Sequence, residues 1–207
     1  MQYEQALSIL SGTQIGSRLA AINDIYSQLD TAQQNFTNKF CIHCKDGCGS
    51  CCQHFNPDIT IAEAQYIAMG LIFDDTDRQI QHTLKSASPT QTFCPLYRPD
   101  NPFHCSIYHL RPLICRLFGA SVIHDKNGDP AIRACKWNPC ATMPSPATLK
   151  HNPQDLIFMS DYGIQLAELQ PEDTSTYPLT EAVDQALSKI RFLMLLSSNP
   201  HSQSTAS

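Results

Sequence analysis

The sequence has little charge and no long hydrophobic run. Charged residues make up only 16% of its 207 residues, and the net charge at pH 7 is −5. Because nucleic acids and anionic lipids attract a positive surface, this acidic balance argues against both as partners. The most apolar run, residues 190–196, is far too short to cross a bilayer. We therefore expect neither a nucleic-acid-binding protein nor a membrane protein.

A secretory signal is also lacking. The first ten residues, MQYEQALSIL, contain no basic segment followed by a long apolar one. We therefore expect the protein to be cytoplasmic, in a compartment that keeps thiols reduced. The ten cysteines of the chain are then expected to be metal ligands. The alternative, a secreted framework of disulfides, needs an export signal that this segment does not have.

Several motifs of well-known enzymes are missing. The sequence has no G-x-G-x-x-G, no P-loop, no nucleophile elbow and no H-E-x-x-H. The C-x3-C-x2-C run of radical enzymes is present as Cys44, Cys48 and Cys51. However, the chain lacks the alternating strands and helices of a (β/α) barrel, which typically takes about 250 residues. An enzyme is therefore the alternative and not the first prediction.

The most distinctive stretch is FCIHCKDGCGSCC, residues 40–52, in which five cysteines fall within twelve residues. These are Cys41, Cys44, Cys48, Cys51 and Cys52. Gly47 and Gly49 permit the backbone conformations of a tightly curled loop, and such a loop can point N–H groups at sulfur. We predict that this stretch holds a metal centre.

The spacing favours an iron–sulfur cluster over zinc. Zinc sites usually join two C-x2-C pairs that are separated by a dozen or more residues. Here the pairs are three residues apart, which resembles the compact runs that bind iron–sulfur clusters. A 4Fe-4S cluster is the first cofactor prediction, and zinc stays open because it also accepts thiolates. Since Cys51 and Cys52 are adjacent, their side chains are expected to diverge and not to bind one ion.

Further cysteines follow at wide spacing. Cys94, Cys105 and Cys115 are predicted to fold back onto the first group as metal ligands. Cys135 and Cys140 are candidates for additional metal ligands, with buried or spare thiols as the alternative. Ten thiols could fill two four-cysteine sites, so the sequence does not decide which cysteines share a centre.

Two arginines flank Cys115 in the sequence, Arg111 and Arg116. Because a four-thiolate site is negatively charged, their guanidinium groups are expected to stabilise it by charge and by hydrogen bonds to sulfur or to a bound anion. Ordinary surface ion pairs are the alternative. With so many thiols available, the neighbouring histidines are expected not to bind metal. These are His43, His54, His104 and His109.

Helical periodicity dominates both ends of the chain. Residues 1–39 are expected to form two helices, and two more are expected over residues 154–169 and 180–197. A proline-rich linker at residues 141–153 precedes the last two. The helices of residues 1–39 are expected to supply packing faces and no chemistry.

The middle of the chain contains local signals for short elements. Thr60 and Glu63 form a capping box for a helix that should run to about Gly70, a natural C′ residue. Pro112 suits the first position of a short helix. The Asn-Gly pair at residues 127–128 indicates the turn of a β-hairpin.

The predicted fold is therefore mainly α. Residues 40–140 form an irregular, cysteine-rich metal-binding centre with a short β-hairpin. N-terminal helices over residues 1–39 and C-terminal helices over residues 141–198 clamp this centre. Residues 199–207 are expected to be a disordered tail.

Four elements resemble the YkgJ-like family of bacterial cysteine-cluster proteins, also called the CxxCxxCC type. They are Phe-Cys at residues 40–41, C-G-x-C-C at 48–52, Phe-Cys-Pro-Leu at 93–96, and C-x-I-Y-x-x-R-P-x-x-C-R at 105–116. The chain departs from short members of that family by inserting residues 45–47. The resemblance covers well under half of the chain and implies a zinc- or iron-chelating domain.

The resemblance implies a metal-binding module and leaves its cellular role undefined. We therefore predict a cytoplasmic protein that holds an iron–sulfur cluster or zinc through clustered cysteines. A similar cysteine cluster occurs in flagellin lysine methylases, which implies an alternative, an iron–sulfur-dependent group-transfer enzyme of the methyltransferase type. A zinc-structured module that binds a protein partner is the third hypothesis.

Overall fold

The structure is a computed structural model that describes residues 7–42, 48–72, 77–88, 91–133, 135 and 143–198. Within these ranges, helices α1–α8 lie at Gln14–Phe40, Ser50–His54, Ile61–Ile72, Asp77–Ser86, Leu113–Arg116, Pro146–Lys150, Met159–Glu168 and Leu179–Ser198. Strands β1–β4 lie at Asp58–Thr60, Val122–His124, Pro130–Ile132 and Thr176–Pro178. The prediction of a mainly helical fold is confirmed.

The long helix α1 forms the N-terminal side of the frame. Thr13 caps it, because its side chain accepts a hydrogen bond from the backbone N–H of Gly16 at 3.0 Å. Gly12, at φ +79°, supplies the left-handed turn before the cap. Residues 7–9 are also helical, so two helical segments precede the cysteine stretch, as predicted.

Helix α3 lies at the centre of the fold and begins with the predicted capping box. The backbone N–H of Thr60 donates to Glu63 Oε2 at 2.9 Å, and the N–H of Glu63 donates to Thr60 Oγ1 at 3.2 Å. The helix, predicted to run to about Gly70, continues to Ile72, so the prediction that Gly70 is its C′ residue is wrong. Gly70 is an interior residue that lets Leu110 approach closely: a Cβ there would lie 2.5 Å from the Leu110 methyl groups.

The terminal helices α1 and α8 both pack against α3, which confirms the predicted clamp. The buried face of α8 has helical spacing and includes Val183, Ala186, Leu187 and Ile190. Burying a leucine or isoleucine side chain contributes about 1.5–3 kcal/mol. The apolar face of α8 therefore provides much of the free energy that holds the frame together.

The segment before α7 is more structured than predicted. The proline-rich residues 143–153 contain the short helix α6, which Ser145 caps by accepting a hydrogen bond from the N–H of Thr148. The helix predicted over residues 154–169 begins only at Met159, after a 3-10 turn at Pro153–Asp155. Proline at the first helical position allows both short helices, because it has no N–H to leave unpaired.

Two small antiparallel sheets complete the fold. In the predicted hairpin, Val122 of β2 lies opposite Ile132 of β3, and Gly128 takes φ +83° in the turn. The pairing of β1 with β4, in which Ile59 lies opposite Tyr177, was not predicted. Both of its strands have three residues, which is too short for an alternating pattern to be recognised.

Some predictions fall on residues outside the described ranges. These include the ligands Cys44 and Cys140, the non-ligand His43 and the tail at residues 199–207. For the part of the chain that is described, no helix has both the length and the apolar character needed to cross a membrane.

Candidate metal centre

Four cysteines from separate segments lie within electrostatic reach of one another: Cys51, Cys94, Cys105 and Cys115. In each of the six pairs, the charge of one thiolate raises the pKa of the other thiol. Cys51 belongs to α2 and Cys115 to α5, while the other two lie in the loops between α4 and α5. We call this set the thiol tetrad.

The thiol tetrad is largely shielded from solvent: Cys94 and Cys105 are buried, and Cys51 and Cys115 are half-buried. Burial is the main reason that the pKa of Cys94 rises to about 12, and it also raises the pKa of Cys105 and, strongly, that of Cys115. Thiols with such pKa values stay protonated at neutral pH unless a cation takes the place of their protons. Because buried sulfur is a soft donor, this set suits zinc or iron and does not suit magnesium or calcium.

Cys52 lies beside the thiol tetrad. Its Sγ is 3.9 Å from that of Cys51, and this hydrogen bond, followed by burial, raises the pKa of Cys51. The expectation that these adjacent side chains diverge is therefore wrong. Two sulfurs bound to one zinc at about 2.3 Å in tetrahedral geometry lie about 3.8 Å apart, so Cys52 is placed to share a centre with Cys51.

The described thiols lie in one region but are not arranged as the ligands of a metal ion. Within the described ranges, no group of three Cys, His, Asp or Glu side chains already has the arrangement of a metal site. Coordination by the thiol tetrad therefore requires the side chains to close around the metal, and metal binding would then contribute to local folding.

Backbone hydrogen bonds position the loop cysteines. The N–H of Cys94 donates to the carbonyl of Cys52 at 2.7 Å, which ties the first loop to α2. The N–H of Ser106 donates to the carbonyl of Leu96 at 3.0 Å, which sets Cys105 beside that same loop. The two loops therefore form one unit with α2.

Gly49 allows α2 to approach these loops. A Cβ at this position would lie 2.5 Å from Tyr97 Cε2 and 2.8 Å from His104 Cβ, which is closer than side chains tolerate. Further along α2, Gln53 Nε2 donates a hydrogen bond to the hydroxyl of the same tyrosine, Tyr97, at 2.7 Å. The glycine of the C-G-x-C-C element thus has a packing role in addition to the curled backbone that the sequence predicted.

A buried carboxylate positions the helix that carries Cys115. Glu63 Oε1 accepts hydrogen bonds from the Leu113 N–H at 2.8 Å and from the Tyr26 hydroxyl at 2.9 Å. Burial, followed by the charge of Glu63, raises the pKa of Tyr26 well above its usual value. Helix α5 has only four residues and cannot be stable alone, so this anchor fixes its start. The capping box indicated Glu63, but no local signal indicates its distant partners.

Arg116 anchors the end of α5. Its Nη1 donates to both carboxylate oxygens of Asp30 at 2.7 Å, and its Nε and Nη2 donate to the carbonyls of Arg111 and His109 at 2.7 and 2.6 Å. Its guanidinium carbon lies 4.2 Å from the ring centre of Tyr26. These bonds join α5 to α1, and a direct role of Arg116 beside the thiolates stays a prediction.

The charge of Arg111 acts on the thiol tetrad. Its positive charge lowers the pKa of Cys105 and of Cys115, although burial outweighs it at both. Its Nε donates to the carbonyl of Tyr108 at 2.9 Å, and its guanidinium carbon lies 3.7 Å from that ring centre. Arg111 can therefore offset part of the negative charge that metal-bound thiolates would bring.

The other described cysteines have different surroundings. Cys41 is exposed and ends α1 in the left-handed conformation at φ +53°. The Cys48 thiol lies 3.5 Å from Ser50 Oγ. Cys135 packs against Gly119, where a Cβ would lie 2.7 Å from the Cys135 Cβ. None of the eight described cysteines forms a disulfide with another described residue, and the ligand roles predicted for these three stay predictions.

Two of the flanking histidines have backbone partners. Nδ1 of His54 lies 2.8 Å from the carbonyl oxygen of Ser50, and Nδ1 of His104 lies 3.2 Å from that of Arg98. Each of these rings is thereby oriented by its own loop or helix. Their exclusion from the ligand set stays a prediction.

Comparison with known proteins supports a metal-binding role for this region. Residues 43–141 match the model of the CxxCxxCC family, which is described as a putative zinc- or iron-chelating domain. The match confirms the resemblance indicated by the sequence elements and includes the whole thiol tetrad. No curated protein and no solved structure gives a significant match to the chain.

Proposed function

We propose, from the zinc- or iron-chelating domain that residues 43–141 carry, that the thiol tetrad of Cys51, Cys94, Cys105 and Cys115 holds an iron–sulfur cluster in a cytoplasmic protein. The observation that carries the proposal is that four thiols from separate segments, two of them buried and two half-buried, lie close enough for their charges to affect one another. Cys52 is the nearest additional donor.

The thiol tetrad gives the metal a structural role. It joins α2, two loops and the four-residue helix α5, none of which has enough hydrogen bonds of its own to be stable alone. Metal binding releases the thiol protons and adds its binding free energy to folding. A bound iron–sulfur cluster would also supply one-electron chemistry. The close spacing of Cys48, Cys51 and Cys52, in place of two well-separated C-x2-C pairs, is the reason for preferring the cluster to zinc.

The test of the metal is purification without oxygen, followed by a visible absorption spectrum and analysis of iron, zinc and acid-labile sulfide. We expect a brown protein that contains iron and sulfide. A colourless protein with stoichiometric zinc would refute the iron–sulfur cluster and leave the thiol tetrad as the proposed ligand set for zinc. A folded protein with none of these metals would overturn the metal-binding function.

The test of the ligand set is metal content after single substitutions. Cys105→Ser and Cys115→Ser should each lower metal content to less than half and reduce solubility, because an oxygen ligand binds these metals less tightly and the centre contributes folding energy. Cys41→Ser, at an exposed position on the cap of α1, is the matched control and should retain metal if the thiol tetrad is sufficient. Full metal content in both tetrad variants would refute the assignment.

A further inference from the structure

An open cleft of about 330 Å³ lies between α1 and the segment that leads into α5. Asp30, Gln34 and Thr37 line its α1 side, and Tyr108, His109 and Arg111 line the other. Sites for small molecules begin at about 300 Å³, so the cleft can take only a small ligand. The resemblance and the family match assign no ligand to it.

One of the two arginines at this cleft already has its charge and four of its five N–H groups paired within the protein. Arg116 is buried, its charge is balanced by the two oxygens of Asp30, and its other donors reach backbone carbonyls. Arg116 therefore shapes the floor of the cleft and contributes little net charge to it.

Arg111 is placed differently, because its charge has no carboxylate partner among the described residues. Its guanidinium lies on the ring of Tyr108 at 3.7 Å, and Nε is held by the Tyr108 carbonyl. Nη1 and Nη2 donate to no acceptor in the part of the chain that the structure describes. A half-buried cation that is held in one plane, with two donor groups unused, is preorganised for an anion.

We propose that this cleft is a binding site for a small carboxylate, which Arg111 holds through its two terminal nitrogens. The planar pair of donors matches the two oxygens of a carboxylate, and such paired bonds are both stronger and more directional than single ones. Gln34, exposed on α1 across the cleft, offers an amide to the remainder of the ligand. This inference goes beyond metal binding and does not depend on which metal is present.

The test is a ligand-observed NMR titration of the as-purified protein at low ionic strength, with metal content measured in the same samples. The probe is acetate, and acetamide is its uncharged isostere. We expect saturable binding of acetate and at least tenfold weaker binding of acetamide. Equal binding of the two, or no saturation with acetate, would overturn the proposal. Inorganic phosphate binding tighter than acetate would overturn the carboxylate class.

Variants locate the binding. Arg111→Gln should weaken acetate binding at least tenfold, whereas Arg191→Gln, which removes the same charge from α8, should leave it unchanged. Gln34→Glu should weaken acetate binding about threefold and Gln34→Lys should strengthen it about threefold, because a unit charge on the wall of the cleft acts on the bound carboxylate through water. These α1 changes leave the thiols intact, so they test the cleft even if Arg111→Gln loses metal. Insensitivity to all three cleft variants would refute the site.

Discussion

Replacing Glu63 by glutamine should destabilise the protein even though the side chain keeps its size. The two carboxylate oxygens accept four hydrogen bonds, from the Tyr26 hydroxyl, the Leu113 N–H, and the N–H and hydroxyl of Thr60. An amide replaces one of these oxygens by an NH2 group. In either orientation, a backbone N–H of Leu113 or of Thr60 then faces another donor, and an N–H cannot reverse its role.

The loss of unfolding free energy should be about 2–4 kcal/mol. An unpaired buried donor costs about 1–3 kcal/mol, and hydrogen bonds to a charged group contribute about 1.5–3 kcal/mol. The lower end applies if the amide places its NH2 group at Thr60, which is half-buried and therefore partly accessible to water. The upper end applies if the NH2 group faces Leu113 and Tyr26, which are both buried.

The assay is urea unfolding of the metal-loaded protein, followed by far-UV circular dichroism. Glu181→Gln is the matched control, because Glu181 also lies in the first turn of a helix, α8, but is exposed. It should change the free energy by less than about 0.5 kcal/mol. An equal, small effect of Glu63→Gln would refute the view that a buried carboxylate anchors α5.

Two further predictions concern the loops and the effect of pH. Gly49→Ala should lower metal content to less than half, because the added Cβ would lie 2.5 Å from Tyr97. Gly163→Ala is the control and should retain metal, because its added Cβ would lie 4.0 Å from the nearest side chain. Equal metal content in the two variants would contradict the packing argument. Burial raises the pKa of Tyr26 above its usual value of 10, so as the pH rises this tyrosine ionises in the unfolded chain before it ionises in the folded protein. The stability that Tyr26 contributes is therefore present below pH 10 and is lost above it. Tyr26→Phe should therefore make the fall in unfolding free energy between pH 10 and 11 shallower, by up to about 1.4 kcal/mol per pH unit; an unchanged slope would contradict this.

Predictions that rest on neighbouring residues agree with the structure. The capping box of Thr60 and Glu63 forms as expected, and the Asn-Gly pair at residues 127–128 forms the hairpin turn. These features depend on hydrogen bonds and backbone angles within a few residues, so their signals are complete in the local sequence.

Features that depend on tertiary contacts could not be predicted in the same way. Gly70 has the residue type of a helix end, but close packing against Leu110 gives it a different role. The adjacent thiols of Cys51 and Cys52 turn towards each other, although regular backbone geometry predicts divergence. The sequence indicated eight to ten candidate ligands, and only the fold reveals which four thiols lie within electrostatic reach of one another.

The hydrogen bonds around α5 have a consequence for where this protein can be cut. The residues that match the family model begin at 43, but Tyr26 and Asp30, which hold Glu63 and Arg116, belong to α1. A fragment cut to the matched residues would lack α1. Arg116 would then lose its carboxylate partner Asp30, and Glu63 would lose the hydrogen bond from Tyr26. The segment that matches the family model is therefore shorter, by the whole of α1, than the segment that must fold together.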